Sequence, residues 1–144
     1  MRILIADDHA AVRHGLREIL ADAFPEALFS EASNAEEVLG HLCRLDCYVL
    51  LLDINMPGRS GFDVLGDVKR DYPKVLVVMV SGQPEDQYST HCLQAGAAAY
   101  INKDRATEEL VPVLRRVLGD DARKALRSRE EAVPPDRPQS SRVR

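Results

Sequence analysis

Five residues with chemical capability stand immediately behind apolar runs in this chain. Asp7 and Asp8 follow "RILIA", Asp53 follows "LLL", Ser81 follows "VLVVMV", and Lys103 comes just after "AAYI". An acid behind an apolar run is ordinarily a solvated loop residue, and none of the five would carry an argument alone. Gathered on one rim, three carboxylates would repel each other by about 3 to 4 kcal/mol per pair at an effective dielectric near 20. A divalent cation would relieve that repulsion, and the amine and hydroxyl could hold an anion beside it. Whether the five meet depends on the elements that carry them.

Those elements alternate. "RILIA" (residues 2–6) reads as a strand, and Val12, Leu16, Ile19, Leu20 and Ala23 then recur at helical spacing. A second strand, "ALFSEA" (27–32), leads to Asn34 and Glu37, a capping-box-like helix start before Val38, Leu39, Leu42 and Cys43. "CYVLLL" (47–52) is continuously apolar, as in a strand covered on both faces of a parallel sheet. A third helix carries Val64, Leu65, Val68 and Tyr72 and is closed by Pro73, before the buried strand "VLVVMV" (75–80). The fourth helix, with Pro84 in its first turn and Gly96 as its C-cap, has only the thin stripe Tyr88, Cys92 and Ala95, so it is expected to be loosely held. After "AAYI" (98–101), Thr107 reads as the cap of a last helix bearing Leu110, Val113, Leu114, Val117 and Leu118. Pro112 then forces that helix to start later or to bend.

Strand–helix alternation of this kind predicts an α/β fold, a doubly wound parallel sheet with helices on both faces. Function in such sheets lies at the carboxyl ends of the strands. All five residues belong there.

Composition narrows the classes further. Of the net charge of −4, residues 120–144 hold seven Lys/Arg against five Asp/Glu, a balance of +2 that leaves −6 on residues 1–119. An acidic body argues against nucleic acid as its main ligand. The start "MRILIADDHA" lacks the apolar core of a secretory signal, and no apolar run approaches the roughly 18 residues of a membrane span, so a cytoplasmic protein is expected. Cys43, Cys47 and Cys92 lack zinc-site pairing and read as reduced packing residues. Residues 120–144 divide into a helix extension, "DDARKALRSREE", and a disordered tail, "AVPPDRPQSSRVR".

Residues 1–119 resemble the receiver domain of bacterial two-component response regulators. The resemblance rests on "ADDH" (6–9), "LLLDINMPGRSG" (50–61), "VVMVSG" (77–82) and "AGAAAYINK" (95–103). The opening "DDHAAVRHGLREIL" and the "KD" at Lys103 and Asp104 are most similar to the LuxR/NarL-type receivers, which usually precede a helix-turn-helix DNA-binding domain. Receivers usually carry proline after this lysine. Asp104 removes the ordinary reason for a cis peptide at that bond.

The resemblance implies a flavodoxin-like sheet of order 2-1-3-4-5 and a phosphoryl group accepted on Asp53 from a histidine kinase or phosphotransfer protein. It implies Mg²⁺, replaceable by Mn²⁺, on Asp8, Asp53 and the Asn55 backbone carbonyl, with Asp7 acting through water. Lys103 would supply a cation to a phosphoryl oxygen, and Ser81 a hydroxyl once its loop moves inward. Ser81 and Tyr100 would form the switch, with the segment from Gly82 through the fourth helix as the bistable element. Gln83 and Asn55 flank the path of attacking water and would tune the phosphate's lifetime. His9 beside the acids reads as a loop residue or supporting contact, while His14, His41 and His91 need no special role.

A competing reading is an aspartate-nucleophile phosphatase or phosphotransferase resembling the haloacid dehalogenase family. Those enzymes carry a second aspartate two residues after the nucleophile as acid and base, and here that position is Asn55. On the output side, the 25 residues after 119, with Pro134, Pro135 and Pro138, cannot form a helix-turn-helix. DNA binding would therefore require a domain outside this chain, making it a stand-alone receiver or the front of a longer regulator. Dimerisation on phosphorylation through the first and last helices is the further expectation.

Overall fold

The computed structural model describes residues 1–83 and 85–132. Five strands, β1 (Arg2–Ala6), β2 (Leu28–Ala32), β3 (Val49–Leu52), β4 (Leu76–Ser81) and β5 (Ala99–Asn102), form one parallel sheet of order β2-β1-β3-β4-β5. They alternate with helices α1 (Ala10–Ala23), α2 (Ala35–Arg44), α3 (Gly61–Asp71), α4 (Glu85–Gln94) and α5 (Ala106–Ala132). Strand β3 is central, as its continuously apolar sequence implies, and β1 is interior, with β2 on one edge and β3 on the other and Ile5 opposite both Glu31 and Leu51. The chain thus reverses its direction of winding between β1 and β3, and a crevice opens at their carboxyl ends.

Alternating strand side chains build two cores. Leu4, Leu50, Leu52, Val77 and Met79 pack against Val38, Leu42, Val64, Leu65 and Val68 of α2 and α3. Ile3, Ile5, Leu51, Val78, Val80 and Ile101 pack on the opposite face against Leu16, Leu20, Leu110 and Leu114 of α1 and α5. Each fully buried Leu or Ile contributes about 1.5–3 kcal/mol relative to exposure, so β1, β3 and β4, buried throughout past Arg2 and Leu76, are the most firmly held part of the sheet. No helix among the described residues is long and apolar enough to cross a membrane.

Local signals decide where elements start and stop. Asn34 caps α2 by accepting from the Glu37 amide at 2.8 Å, while the Glu37 carboxylate reaches back to the amide and hydroxyl of Ser33 at 2.7 and 2.9 Å. Gly96, at φ 109°, ends α4: its amide donates to the Leu93 carbonyl and that of Ala97 to the Cys92 carbonyl, the paired bonds of a Schellman motif. Observed strand ends differ from the apolar runs by one or two residues, since the apolar stretch and the pairing ladder need not coincide.

The last helix departs from its expected start. Asn102, not Thr107, is the capping residue: its side chain accepts from the Asp104 amide at 2.8 Å and opens a 3-10 turn, Lys103–Arg105, that runs directly into α5. Pro112 therefore lies well inside the helix, on its exposed face, where water can satisfy the Glu108 carbonyl that loses its intrahelical partner. The helix neither starts late nor stops at Gly119; it continues through "DDARKALRSREE" to Ala132. All described peptide bonds are trans, Lys103–Asp104 included. Pro84 and the tail from residue 133 lie outside the described residues.

The cysteine expectation holds in part. Cys92 is buried and Cys47 half-buried, its thiol donating to the Val49 carbonyl at 3.2 Å, but Cys43 is exposed because it falls off the α2 face that carries Val38 and Leu42.

Candidate functional site at the carboxyl rim

The sheet register sets the site. Ala6 lies opposite Leu52, and one residue further on the Asp53 amide donates to the Ala6 carbonyl while the Asp7 amide donates to that of Ala32, both at 3.0 Å. Asp7 and Asp53 thus continue the ladder side by side at the crevice. Both are buried, at 1 and 3% exposure, whereas Asp8 stands exposed beside them.

Lys103 joins the two buried acids. Its Nζ lies 2.7 Å from Asp7 Oδ2 and 3.2 Å from Asp53 Oδ2. Burial pushes the Asp53 carboxyl above its ordinary pKa and the Asp7 charge pushes it further, against the opposing pull of Lys103 and of the Asn55 amide, which donates to Asp53 Oδ1 at 3.3 Å. Burial alone would lower Lys103, but its close contact with Asp7 and the charges of both acids outweigh that and hold it above the ordinary lysine value. The ammonium stays charged.

Close approach behind Asp53 depends on Gly61, which the sequence reading quoted only as part of the turn. A Cβ at Gly61 would lie 1.9 Å from the Asp53 carbonyl oxygen, and the Gly61 amide donates to the Ile54 carbonyl at 2.6 Å. Glycine lets α3 begin directly against the strand end, with Ser60 capping it through the Asp63 amide at 3.2 Å. Gly58, at φ 84°, turns the intervening loop.

Ser81 and Tyr100 sit on the other side of the rim. Strand alternation puts Asp7, Asp53 and Lys103 on the α1/α5 side, and Ser81 and Tyr100 on the side facing α2–α4. Ser81 is fully buried, and its Oγ accepts from the Gln83 amide at 3.1 Å; the Tyr100 hydroxyl donates to the Gln83 carbonyl, also at 3.1 Å. One residue's backbone thus binds both. Next to it, Cys92 is the only buried side chain of α4 among those described; Leu93 is exposed, and so is Tyr88, which the expected apolar stripe includes, so the stripe is thinner than the sequence suggests.

His9 touches both acids of its loop, its Nδ1 lying 3.2 Å from Asp7 Oδ1 and 3.1 Å from Asp8 Oδ1. Among the described residues, Asp7, Asp8 and His9 form the one group of potential ligands close enough to share a metal ion. His14 and His91 lie on exposed helix surface, and His41 bonds the Glu31 carbonyl at 3.0 Å. Asp53 is not in the group of Asp7, Asp8 and His9; counted with Asp7, Asp8 and Lys103 it leaves two net negative charges at the rim, and Asp7 Oδ2 is buried with no aligned hydrogen-bond donor beyond its ionic contact with Lys103, a balance that suits a hard divalent cation.

Sequence reasoning missed a further group. Arg13 on α1 donates through Nη1 to the Asp7 carbonyl at 2.6 Å and through Nε to Glu31 Oε1 at 2.9 Å, while Arg17 takes Glu31 Oε2 at 3.0 Å. These arginines hold the Glu31 carboxyl below its ordinary pKa, Arg13 most strongly. Arg13 and Glu31 lie 18 residues apart, so only the β1–β2 pairing reveals them.

With this arrangement in place, comparison with known proteins is decisive. Residues 3–115 match the response regulator receiver domain family. The chain belongs to that family. Receivers of this kind are the phosphorylation-dependent signalling domains of two-component systems. Response regulator GacA of Pseudomonas protegens is 38% identical over 117 residues, covering 81% of this chain and 55% of that protein. The receiver here thus spans about half the length of the curated relatives it matches. Among solved structures, a CheY-like receiver from Methanospirillum hungatei JF-1 superposes with a TM-score of 0.77 at 28% identity, covering 85% of this chain and 97% of its own. TrrA from Thermotoga maritima, solved in complex with Mg²⁺ and BeF, gives 0.72 at 27% identity over 81% of this chain and 97% of its own.

Proposed function

We propose that Asp53 accepts a phosphoryl group from a phosphohistidine on a sensor kinase or phosphotransfer protein, and that the modified domain switches a partner-binding or dimerisation surface. The observation that carries this is the ammonium of Lys103 set between two buried carboxylates, one of them raised in pKa by burial and by its neighbour, at the strand ends beside the exposed Asp8. In the transfer, an Asp53 oxygen forms a bond to phosphorus as the phosphorus–nitrogen bond to the donor histidine breaks.

Asp8, Asp53 and the Asn55 carbonyl would hold Mg²⁺, with Asp7 acting through water and Mn²⁺ able to substitute. When bound, the metal neutralises charge on the transferring oxygens. Lys103 contributes the remaining fixed cation and pairs with a phosphoryl oxygen. Asn55, in the position where haloacid dehalogenase-like enzymes place an acid, has no proton to give a leaving group, so the domain acts as a phosphoacceptor with self-dephosphorylation and not as a turnover enzyme.

Switching follows from the Gln83 backbone. A phosphoryl group adds acceptors that compete for the Ser81 hydroxyl, and drawing Ser81 toward them takes from the Gln83 amide its acceptor. The loop residue that Ser81 and Tyr100 share then shifts, and the bond from the Tyr100 hydroxyl to the Gln83 carbonyl couples that shift to an inward rotation of the ring. The domain serves in the cytoplasm as the input half of a transcription regulator, reaching DNA only through a segment outside this chain.

Incubation with Mg²⁺ and acetyl phosphate is expected to add one phosphoryl group by mass spectrometry, and none to Asp53→Ala. An unchanged mass under conditions that label a control receiver overturns the proposal. Sedimentation of labelled and unlabelled protein tests the α1/α5 dimer: equal coefficients rule it out.

A further inference from the structure

We infer that Arg13 is the positioning residue of the acid pair, and that its role is to fix the Asp7–Asp8 peptide so that Asp8 points toward the metal position. The inference rests on the acceptor reading above, because it assigns Asp8 as a metal ligand.

Besides its contacts with Lys103 and the His9 ring, Asp7 makes three bonds that involve the backbone. Its amide donates to Ala32, its Oδ1 accepts from the His9 amide at 2.9 Å, and its carbonyl accepts from Arg13 Nη1 at 2.6 Å. The first two fix Asp7 itself. The third fixes the plane of the peptide that joins Asp7 to Asp8, and that plane decides where the Asp8 side chain projects. Asp8 is exposed, and among the described residues its ion-pair partner is the exposed ring of His9.

Arg13 can do this because its own fork is fixed. Nε is tied to Glu31, and Glu31 is tied in turn by Arg17, so the guanidinium is anchored from β2 and presents Nη1 to the carbonyl in one orientation. A planar donor pair spanning a carboxylate and a carbonyl is a task lysine cannot reproduce.

Charge and geometry oppose each other here, which makes the inference decidable. Arg13 is a cation near a cation site, so by charge alone its removal strengthens metal binding. If it positions Asp8, its removal weakens binding despite that gain. Mn²⁺ affinity, by electron paramagnetic resonance, and Mg²⁺ affinity, by calorimetry, are the readouts, with circular dichroism confirming the fold. Arg13→Ala is expected to weaken both by about tenfold, the lower end of losses seen when a supporting partner of a ligand is removed. Arg13→Lys, which keeps the charge and the fold, is expected to weaken them severalfold.

In acetyl phosphate labelling, the half-saturating Mg²⁺ concentration is expected to rise in both variants while the rate at saturating Mg²⁺ stays within about twofold of wild type. Tighter metal binding by Arg13→Ala, or wild-type affinity in Arg13→Lys, overturns the positioning role. Failure of the wild-type protein to bind either metal overturns the acceptor reading itself, and is distinguished because it appears before any substitution is made.

Discussion

The two sides of the carboxyl rim differ in how they are held. Asp7 and Asp53 follow β1 and β3, strands buried on both faces, Lys103 reaches them from the 3-10 turn after β5, and a glycine admits α3 to within contact of the Asp53 backbone, while Ser81 ends the equally buried β4. Ser81 and Tyr100 rest against a helix with one buried residue among its described side chains and are tied by two bonds to a single loop residue. Reaction chemistry needs atoms held within fractions of an ångström, whereas a switch needs two arrangements of similar free energy. On the function proposed above, the two tasks divide between groups that lie on opposite faces of the same sheet.

The sharpest way to break the rigid side is Gly61→Ala. Its Cβ would meet the Asp53 backbone, which cannot move as a flexible side chain could, so a loss of about 3 kcal/mol or more in urea unfolding is expected, with loss of phosphoryl labelling. Next comes a matched pair. Leu51→Ala, in the buried strand, is expected to cost about 2–5 kcal/mol, while Leu93→Ala on the exposed face of α4 should stay within about 0.5 kcal/mol. Hydrogen exchange should rank the same way, with α4 amides exchanging well before those of β1 and β3. Equal costs for the two substitutions would erase the distinction between the sides.

A smaller effect probes electrostatics. Because burial and the Asp7 charge raise the Asp53 pKa, the folded state favours the protonated acid. That contribution is fully present below the unfolded-state pKa and lost as pH rises through the folded one. Asp53→Asn avoids the loss and is expected to be more stable than wild type at pH 7, the difference shrinking as pH falls toward the carboxylate range. The smallest is Tyr48→Phe. The Tyr48 hydroxyl donates to Asp121 at 2.6 Å, a bond that also pushes the phenol's pKa up to about 12, and its removal should cost about 1 kcal/mol or less and speed exchange in α5 beyond Gly119.

Much of this was legible beforehand, and the reason is local. The apolar runs and the residues behind them named the strand order's functional end, and the Asn34 and Gly96 caps could be read because each lies within a few residues of what it bonds. Thr107 misled because a threonine before an amphipathic run looks like a cap, while the true cap, Asn102, is hidden at a strand end. Arg13, Glu31 and Gly61 escaped for a different reason. Their importance comes from contacts across strands or from the absence of a side chain, neither of which has a period or a spacing.

The length of α5 carries one more consequence. At about 1.5 Å per residue its 27 residues extend roughly 40 Å, about twice the reach of the strands it packs on. The bond from Tyr48 to Asp121 ties that helix to the residue just before β3, at the sheet's amino end, while Asp53 closes the far end of the same strand. One short strand, buried from end to end, thus carries a helix clasp at one tip and a buried carboxylate at the other.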